Sequence, residues 1–233
     1  MSRRKTANIL LVSGVILCLG LAAFFHQKNT AQIRADRELR EIAVEEKEEE
    51  PDENGQTSET KTMEDNIEKP AVIMEPEERQ IDFAALKAIN PDVVAWLYIP
   101  GTSIDYPILC ATEEEGADYY LRRNIYRKKN SHGCIYYRPA EPTILYGHNM
   151  HDGTMFGQVK KYKKKSYQEK HRYLYVYRLD ESGNQVTEKY SFFVTGTVDP
   201  AQVSGVSKDY DLTLCTCTGD HKQRVVAHFF RVS

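Results

Sequence analysis

Apolar and polar positions alternate in three different ways along the chain. Residues 9–25 (ILLVSGVILCLGLAAFF) form an unbroken apolar run with Ser13 as its only polar side chain. As a helix it would span about 26 Å at 1.5 Å per residue, close to the lower limit for a hydrocarbon core. From about residue 26 to residue 80 the pattern is polar and mostly without period. From residue 81 onward short periodic runs return. Phe83, Leu86 and Ile89 share one face of a short helix that Asn90-Pro91 ends. Runs rich in β-branched and aromatic residues then predict strands over 95–99, 103–109, 133–137, 143–146, 173–179, 189–198, 212–216 and 224–232. Pro100-Gly101 and Ser182-Gly183-Asn184 punctuate them as turns, and short helical stretches fit 117–123 and 155–162. Eight strands with few helices predict a mainly β fold, a closed barrel or sandwich, because closure removes exposed edges. With no βαβ alternation and no Gly-rich phosphate loop, nucleotide chemistry has no support.

Charge sharpens this division. The 233 residues sum to a net charge of -3, a figure that argues against a general nucleic-acid binder. That sum hides segregation. Residues 1–26 carry Arg3, Arg4 and Lys5 and no acid; residues 27–80 hold 17 acids against 8 bases; residues 81–233 hold 17 against 20. Basic residues before an apolar run place residues 1–8 in the cytoplasm and everything after the run outside. A cleaved signal peptide is the rival, but its small-x-small match, Gly20-Leu21-Ala22, lies inside the run, and Leu17 stands where a lipoprotein signal needs a small residue. The expectation is a membrane-anchored protein with a transmembrane helix over 9–25. Residues 26–80 then form an acidic, disordered extracellular stalk, too poor in apolar groups to offset chain entropy, and 81–233 the folded domain. Part of the stalk, residues 31–50, could instead be a solvated helix.

The strongest local chemistry is Leu212-Thr213-Leu214-Cys215-Thr216-Cys217, where a strand pattern gives out into Thr218-Gly219-Asp220, with Arg224 opening the next strand. A hairpin there brings Cys217 and Arg224 together, and a thiol beside a fixed cation favours its thiolate. Tyr146-Gly147-His148-Asn149-Met150 ends another strand. A Cys, a His and an Arg at three strand ends suit thiol acyl transfer. The thiolate attacks a carbonyl, the imidazolium protonates the leaving amine, and the guanidinium stabilises the oxyanion. Each residue taken alone also has a structural reading: a buried strand Cys, a turn His, a surface Arg. Five cysteines are too few for a disulfide scaffold, and the odd number leaves at least one thiol unpaired within the chain. Cys215, Cys217, His221 and His228 could in principle hold zinc or a redox site, though without any finger spacing. Lys160, Lys161, Lys163, Lys164, Lys165, Lys170 and Arg172, interleaved with Tyr162 and Tyr167, read as a solvated face. The functional option is attraction to lipid head groups, wall polymer or a pyrophosphate.

At these residues the sequence resembles a known family. T-L-C-T-C at 213–217 is similar to the TLxTC nucleophile motif of the sortases, cell-surface cysteine transpeptidases. YGHNMHDGTMF at 146–156 and NPDVVAWLYIPGTSIDYPIL at 90–109 resemble class B members in particular. The resemblance covers most of 82–233. It implies a barrel of about eight strands, Cys217 as nucleophile, His148 as general acid/base and Arg224 as the residue that positions substrate and stabilises the oxyanion. It further implies cleavage of a sorting-signal pentapeptide on secreted surface proteins after its Thr. A Cys217 thioester would then pass to an amine such as that of lipid II, with no cofactor and no metal. Three features depart from the pattern. The stretch between His148 and Cys217 is short, so the long helix-bearing loop before the Cys strand is expected to be largely missing. Thr218 stands where relatives often carry an acid, with Asp220 as the stand-in. Cys215 occupies the motif's variable position, as a small core residue or an oxidation partner of Cys217. A catalytically impaired, peptide-binding scaffold is therefore the alternative to an active enzyme.

Overall fold

The computed structural model describes Ala23, Gln27 and residues 30–44 and 75–233. The chain divides into two compact units, Met1–Ile42 and Ala43–Ser233, each described by itself. Apart from Ala23, the apolar run at 9–25 lies outside the described residues. Among the described residues no helix is long and apolar enough to cross a membrane.

Disorder was the expectation for residues 26–80, and parts of that stretch are ordered instead. Residues 30–43 form a helix (α1). Ala, Leu, Glu and Arg favour helix locally, and Gln32 Nε2 donates to Asp36 Oδ1 at 2.7 Å, one turn on. Within the second unit, Val44 bridges Ile81, and Asp82 N donates to the Ala43 carbonyl at 2.8 Å. Residues 75–81 also belong to the folded domain. Tyr177 Oη donates to the Pro76 carbonyl, Lys189 Nζ meets Glu77 at 2.6 Å, and Arg79 meets Asp105 at 2.9 Å. Averaged acidity hid these single pairings.

Beyond them comes α2 (Phe83–Ile89), capped by Asp82, whose side chain accepts from Ala85 N. Eight strands follow: β1 (Val93–Tyr98), β2 (Asp105–Leu109), β3 (Ile135–Arg138), β4 (Glu141–Tyr146), β5 (Tyr173–Leu179), β6 (Gln185–Val198), β7 (Leu212–Cys217) and β8 (Arg224–Arg231). All eight expected strands are present. They close into a barrel in the order β1-β2-β3-β4-β7-β8-β6-β5, with β2–β3 and β4–β7 parallel and the other pairs antiparallel. The helical expectations shift. Residues 117–123 give only a 3-10 turn at Tyr119–Arg122. In place of 155–162 there is a 3-10 turn at Val159–Lys163 followed by α3 (Lys165–Lys170). The connection from β6 to β7 spans residues 199–211 and carries a 3-10 turn at Pro200–Gln202 and α4 (Val203–Ser207).

The interior is filled. Leu97, Ile135, Leu145, Val176, Leu214 and Phe229 belong to one buried cluster. Successive side chains on a strand point to opposite faces. With Leu212 and Leu214 inward on β7, and Val225, Ala227 and Phe229 inward on β8, Cys215, Cys217, Arg224 and His228 fall on the outer face.

Candidate active site

The hairpin joining β7 to β8 sets the first juxtaposition. In its antiparallel register Cys217 stands directly opposite Arg224. The turn between them is closed by Thr218 N donating to the Gln223 carbonyl at 2.9 Å. Asp220 Oδ1 accepts from the Thr218 hydroxyl at 2.6 Å and from Lys222 N at 3.2 Å. Asp220 thus serves its own turn, and the role of stand-in acid beside the thiol finds no contact. Arg224 Nη1 donates to the carbonyls of His221 and Gln223 at 3.4 and 3.2 Å, which holds the guanidinium at the hairpin mouth.

The second juxtaposition comes from the parallel pairing of β4 with β7. Three hydrogen bonds stitch the residues just beyond β4 to the end of the Cys strand. Gly147 N donates to the Cys215 carbonyl at 3.2 Å, Thr216 Oγ1 to the Gly147 carbonyl at 2.7 Å, and Asn149 Nδ2 to the Cys217 carbonyl at 2.9 Å. His148 lies within this stitched turn. Its Nε2 is 2.7 Å from the Leu121 carbonyl on the 3-10 turn Tyr119–Arg122. A carbonyl only accepts, so Nε2 carries the proton and Nδ1 is the nitrogen left for proton exchange. Gly133 seats that 3-10 turn. Its φ is +62, and a Cβ there would lie 2.4 Å from the Leu121 oxygen and 2.7 Å from that of Tyr120.

Electrostatics favour a neutral imidazole. Burial lowers the pKa of His148, the Leu121 bond opposes that shift, and Arg122, His132 and His221 lower it further. Cys217 is half-buried at the strand end. Cys215, two residues earlier on the same face, is 1% exposed. Burial pushes its thiol up to about 12, and it is a core-like thiol with no disulfide. Among the described residues, Cys110, Cys215 and Cys217 are free thiols.

Sequence reasoning missed a polar plate beneath this site. Tyr146 pairs with Cys215 across β4 and β7, and with Tyr136 across β3 and β4. Its hydroxyl donates to Glu141 Oε2 at 2.6 Å, and the Arg138 guanidinium carbon lies 4.4 Å over its ring. Arg138 is forked to Asp118, at 2.9 and 3.2 Å, and reaches Glu141 at 3.2 Å. Glu141 also accepts the hydroxyl of Ser204, on α4. Burial pushes the Glu141 carboxyl up, but the bonds from Ser204, Tyr146 and Arg138 together bring it below the usual carboxylate value. The available signal was period two: Tyr146 and Cys215 stand two residues before His148 and Cys217.

The metal or redox alternative is not assembled. His228 sits opposite Thr213 in register, four residues along β7 from Cys217. Its Nδ1 lies 2.9 Å from Thr213 Oγ1, and its ring stacks on Tyr210 at 4.1 Å. Among the described residues no group of three or more His, Cys, Asp or Glu could hold a metal ion. The basic run lies on the turn at Val159–Lys163 and on α3. Tyr162 is its buried anchor, and Lys160 and Lys163 bond Asn149 and Thr197.

Comparison with known proteins bears on the same stretch. A family model described as the sortase domain matches residues 97–231. Sortase B of Listeria monocytogenes is 43% identical over 89 residues, 35% of this chain and 35% of its own length. Sortase B of Staphylococcus aureus is 33% identical over 125 residues, 50% of this chain and 49% of its own length. Measured against those two curated relatives, the chain spans about a third of one and about half of the other. The fold is similar to Clostridium perfringens sortase B, with a TM-score of 0.55 at 24% identity over 64% of this chain and 99% of that one. A Bacillus anthracis sortase B structure gives a TM-score of 0.54 at 26% identity, covering 69% of this chain and 86% of that one.

Proposed function

Since the chain belongs to the sortase family, we propose that it is a class-B-like cysteine transpeptidase that cleaves sorting signals through Cys217, His148 and Arg224. The observation that carries the proposal is one register: Cys217 opposite Arg224, with the His148 turn bonded to the carbonyls of Cys215 and Cys217. In the first half-reaction, Cys217 Sγ attacks the carbonyl carbon of the scissile peptide as its proton passes to neutral His148, at Nδ1. Arg224 lies across the hairpin from Sγ, where its guanidinium can stabilise the oxyanion. Collapse breaks the C–N bond, His148 returns its proton to the departing amine, and a thioester remains on Cys217. In the second half-reaction an incoming amine gives a proton to His148 and attacks the thioester, and the Cys217 sulfur leaves with a proton. One peptide bond is broken and one formed, so no external energy source is required. The acceptor is a cell-wall amine of the lipid II kind. The apolar run at 9–25 behind Arg3, Arg4 and Lys5 supports a single-pass anchor that displays the domain outside the cell.

The test incubates the full chain with a panel of fluorogenic sorting peptides and an amine, beside Cys217→Ala. Cleavage and amine adduct that vanish in the variant are the expected result. A chain that binds peptides without cleaving any of them is a scaffold, and the transpeptidase reading is then wrong.

A further inference from the structure

We propose that His132 is a positioning residue for His148, gripping through Asp152 the loop that carries the catalytic histidine. The inference rests on the acid/base role proposed above for His148. Residues 148–156 form a tight loop. Phe156 N donates to the His148 carbonyl at 2.9 Å, Asn149 bridges Met155, and Met155 and Phe156 are anchored in the core. Asp152 stands at the tip of this loop. Its Oδ1 accepts from Thr154 N at 2.9 Å and from the Thr154 hydroxyl at 2.6 Å, which fixes the carboxylate. Its other oxygen, Oδ2, lies 3.7 Å from His132 Nε2.

His132 is 7% exposed, and its Nε2 has no hydrogen-bond partner among the described residues. A gap of 3.7 Å is too long for a hydrogen bond and short enough for an ion pair once the ring is protonated. The backbone on either side is tied down: His132 N donates to Asn130 Oδ1 at 2.7 Å, and Cys134 N to the Tyr120 carbonyl at 3.0 Å. Between them Gly133 lies against the Leu121 carbonyl, the acceptor of His148 Nε2. Two adjacent residues therefore hold His148 at two points. Gly133 seats the carbonyl that orients the ring, and His132 grips the loop on which the ring is mounted. On the other side of the tip, Ser103 Oγ donates to the Gly153 carbonyl at 2.7 Å. Losing the His132 grip thus loosens the loop without releasing it. The charge of His132 has a second effect. Burial lowers the pKa of His148 most, and His132 lowers it further alongside Arg122 and His221, which favours the neutral imidazole that accepts the thiol proton. His132 acts on the reaction only through His148.

The test compares His132→Ala, His132→Gln and Asp152→Asn with the wild-type chain, in peptide cleavage and in an NMR titration of the His148 ring. The kcat is taken at the maximum of each pH–rate profile. His132→Ala should lower it about three- to tenfold with KM unchanged, the effect of a few tenths of an ångström when 1 Å costs about a hundredfold. His148 should titrate at higher pH in that variant, because a neighbouring positive charge is gone. His132→Gln keeps a donor towards Asp152 without the charge. It should restore kcat while His148 still titrates higher, a split that a loss of stability does not produce. Asp152→Asn should lower kcat by a similar factor, and combined with His132→Ala it should lower kcat no further, because both cut the same pair. Unchanged kcat or an unchanged His148 titration in His132→Ala overturns the proposal, as does full additivity with Asp152→Asn. A higher KM at constant kcat also overturns it, by placing His132 in peptide binding. If His132→Ala does not fold, Asp152→Asn alone decides by the same fall in kcat. If the wild-type chain cleaves no peptide, the transpeptidase reading fails, and the His148 titration still decides whether His132 acts on His148.

Discussion

Gly147→Ala tests whether the His148 turn is held by packing as well as by hydrogen bonds. An added Cβ would stand 2.6 Å from Ile135 Cδ1, 2.8 Å from Phe156 Cδ2 and 2.9 Å from Phe156 Cγ. Carbon contacts settle at about 3.5–4.0 Å, so the methyl arrives about 1 Å too close to two fully buried side chains. Neither neighbour has room to retreat, since both belong to the core cluster. The strain must instead push residues 147–149 outward, against the bonds to Cys215, Thr216 and Cys217. Overpacking of this kind costs about 1–3 kcal/mol. At about 2–4 °C per kcal/mol for a domain of this size, Tm should fall by about 2–12 °C. Moving His148 by even half that distance from Cys217 should lower kcat by about tenfold or more, given about a hundredfold for a 1 Å misplacement. Thermal unfolding and peptide cleavage of the two proteins read both effects. Gly205→Ala is the control: a Cβ there meets nothing within 4 Å, and replacing a helical glycine should stabilise by about 0.5–1 kcal/mol. A Gly147→Ala protein with wild-type Tm and kcat would refute the claim that core packing sets the His148 turn.

Thr216→Val keeps the shape of a buried residue and deletes its bond to the Gly147 carbonyl. It should cost about 1–3 kcal/mol by leaving that oxygen unpaired, read as a lower urea midpoint, and should lower kcat more than KM. Of the two motif cysteines, Cys217 should be alkylated in the native protein, while Cys215, buried and pushed up to about 12, should stay unlabelled at pH 8 until the protein unfolds; mass mapping separates them. His228 is buried, and that burial pulls its pKa down to about 4 from 6.5. The unfolded chain therefore binds the proton more readily, so the stability His228 contributes is complete above about pH 6.5 and is lost as pH falls towards 4. The slope is at most about 1.4 kcal/mol per pH unit. Urea titrations between pH 4 and 7 should show a flatter stability profile for His228→Asn than for wild type, and equal slopes would contradict this.

Much of this protein was legible in its residue pattern. Runs rich in Val, Ile, Tyr and Phe marked all eight strands, because β-branched and aromatic side chains pack well on a pleated, buried surface. Cys217, His148 and Arg224 stood out because each ends or opens such a run, and strand ends are where side chains escape the filled interior. The helices were less legible. The turn at Val159–Lys163 and α3 come from a lysine-rich stretch whose buried anchor, Tyr162, gives no clear helical period. The helix at 30–43 matches the alternative left open for 31–50, whereas the ordering of 75–80 was hidden by an acidic average, since the pairing of Glu77 with Lys189 depends on a partner far along the chain.

Only the tertiary structure decided how the pieces meet. Alternation places a side chain on a face and says nothing about which strands become neighbours. The parallel pairing of β4 with β7 joins segments with β5, β6 and α4 between them. That pairing lays Gly147 and Asn149 on the Cys strand, where they bond the carbonyls of Cys215 and Cys217. Strand identity is a local property of side-chain period and propensity. Strand order is the solution that closes one barrel over one core, and the geometry around Cys217 follows from that closure.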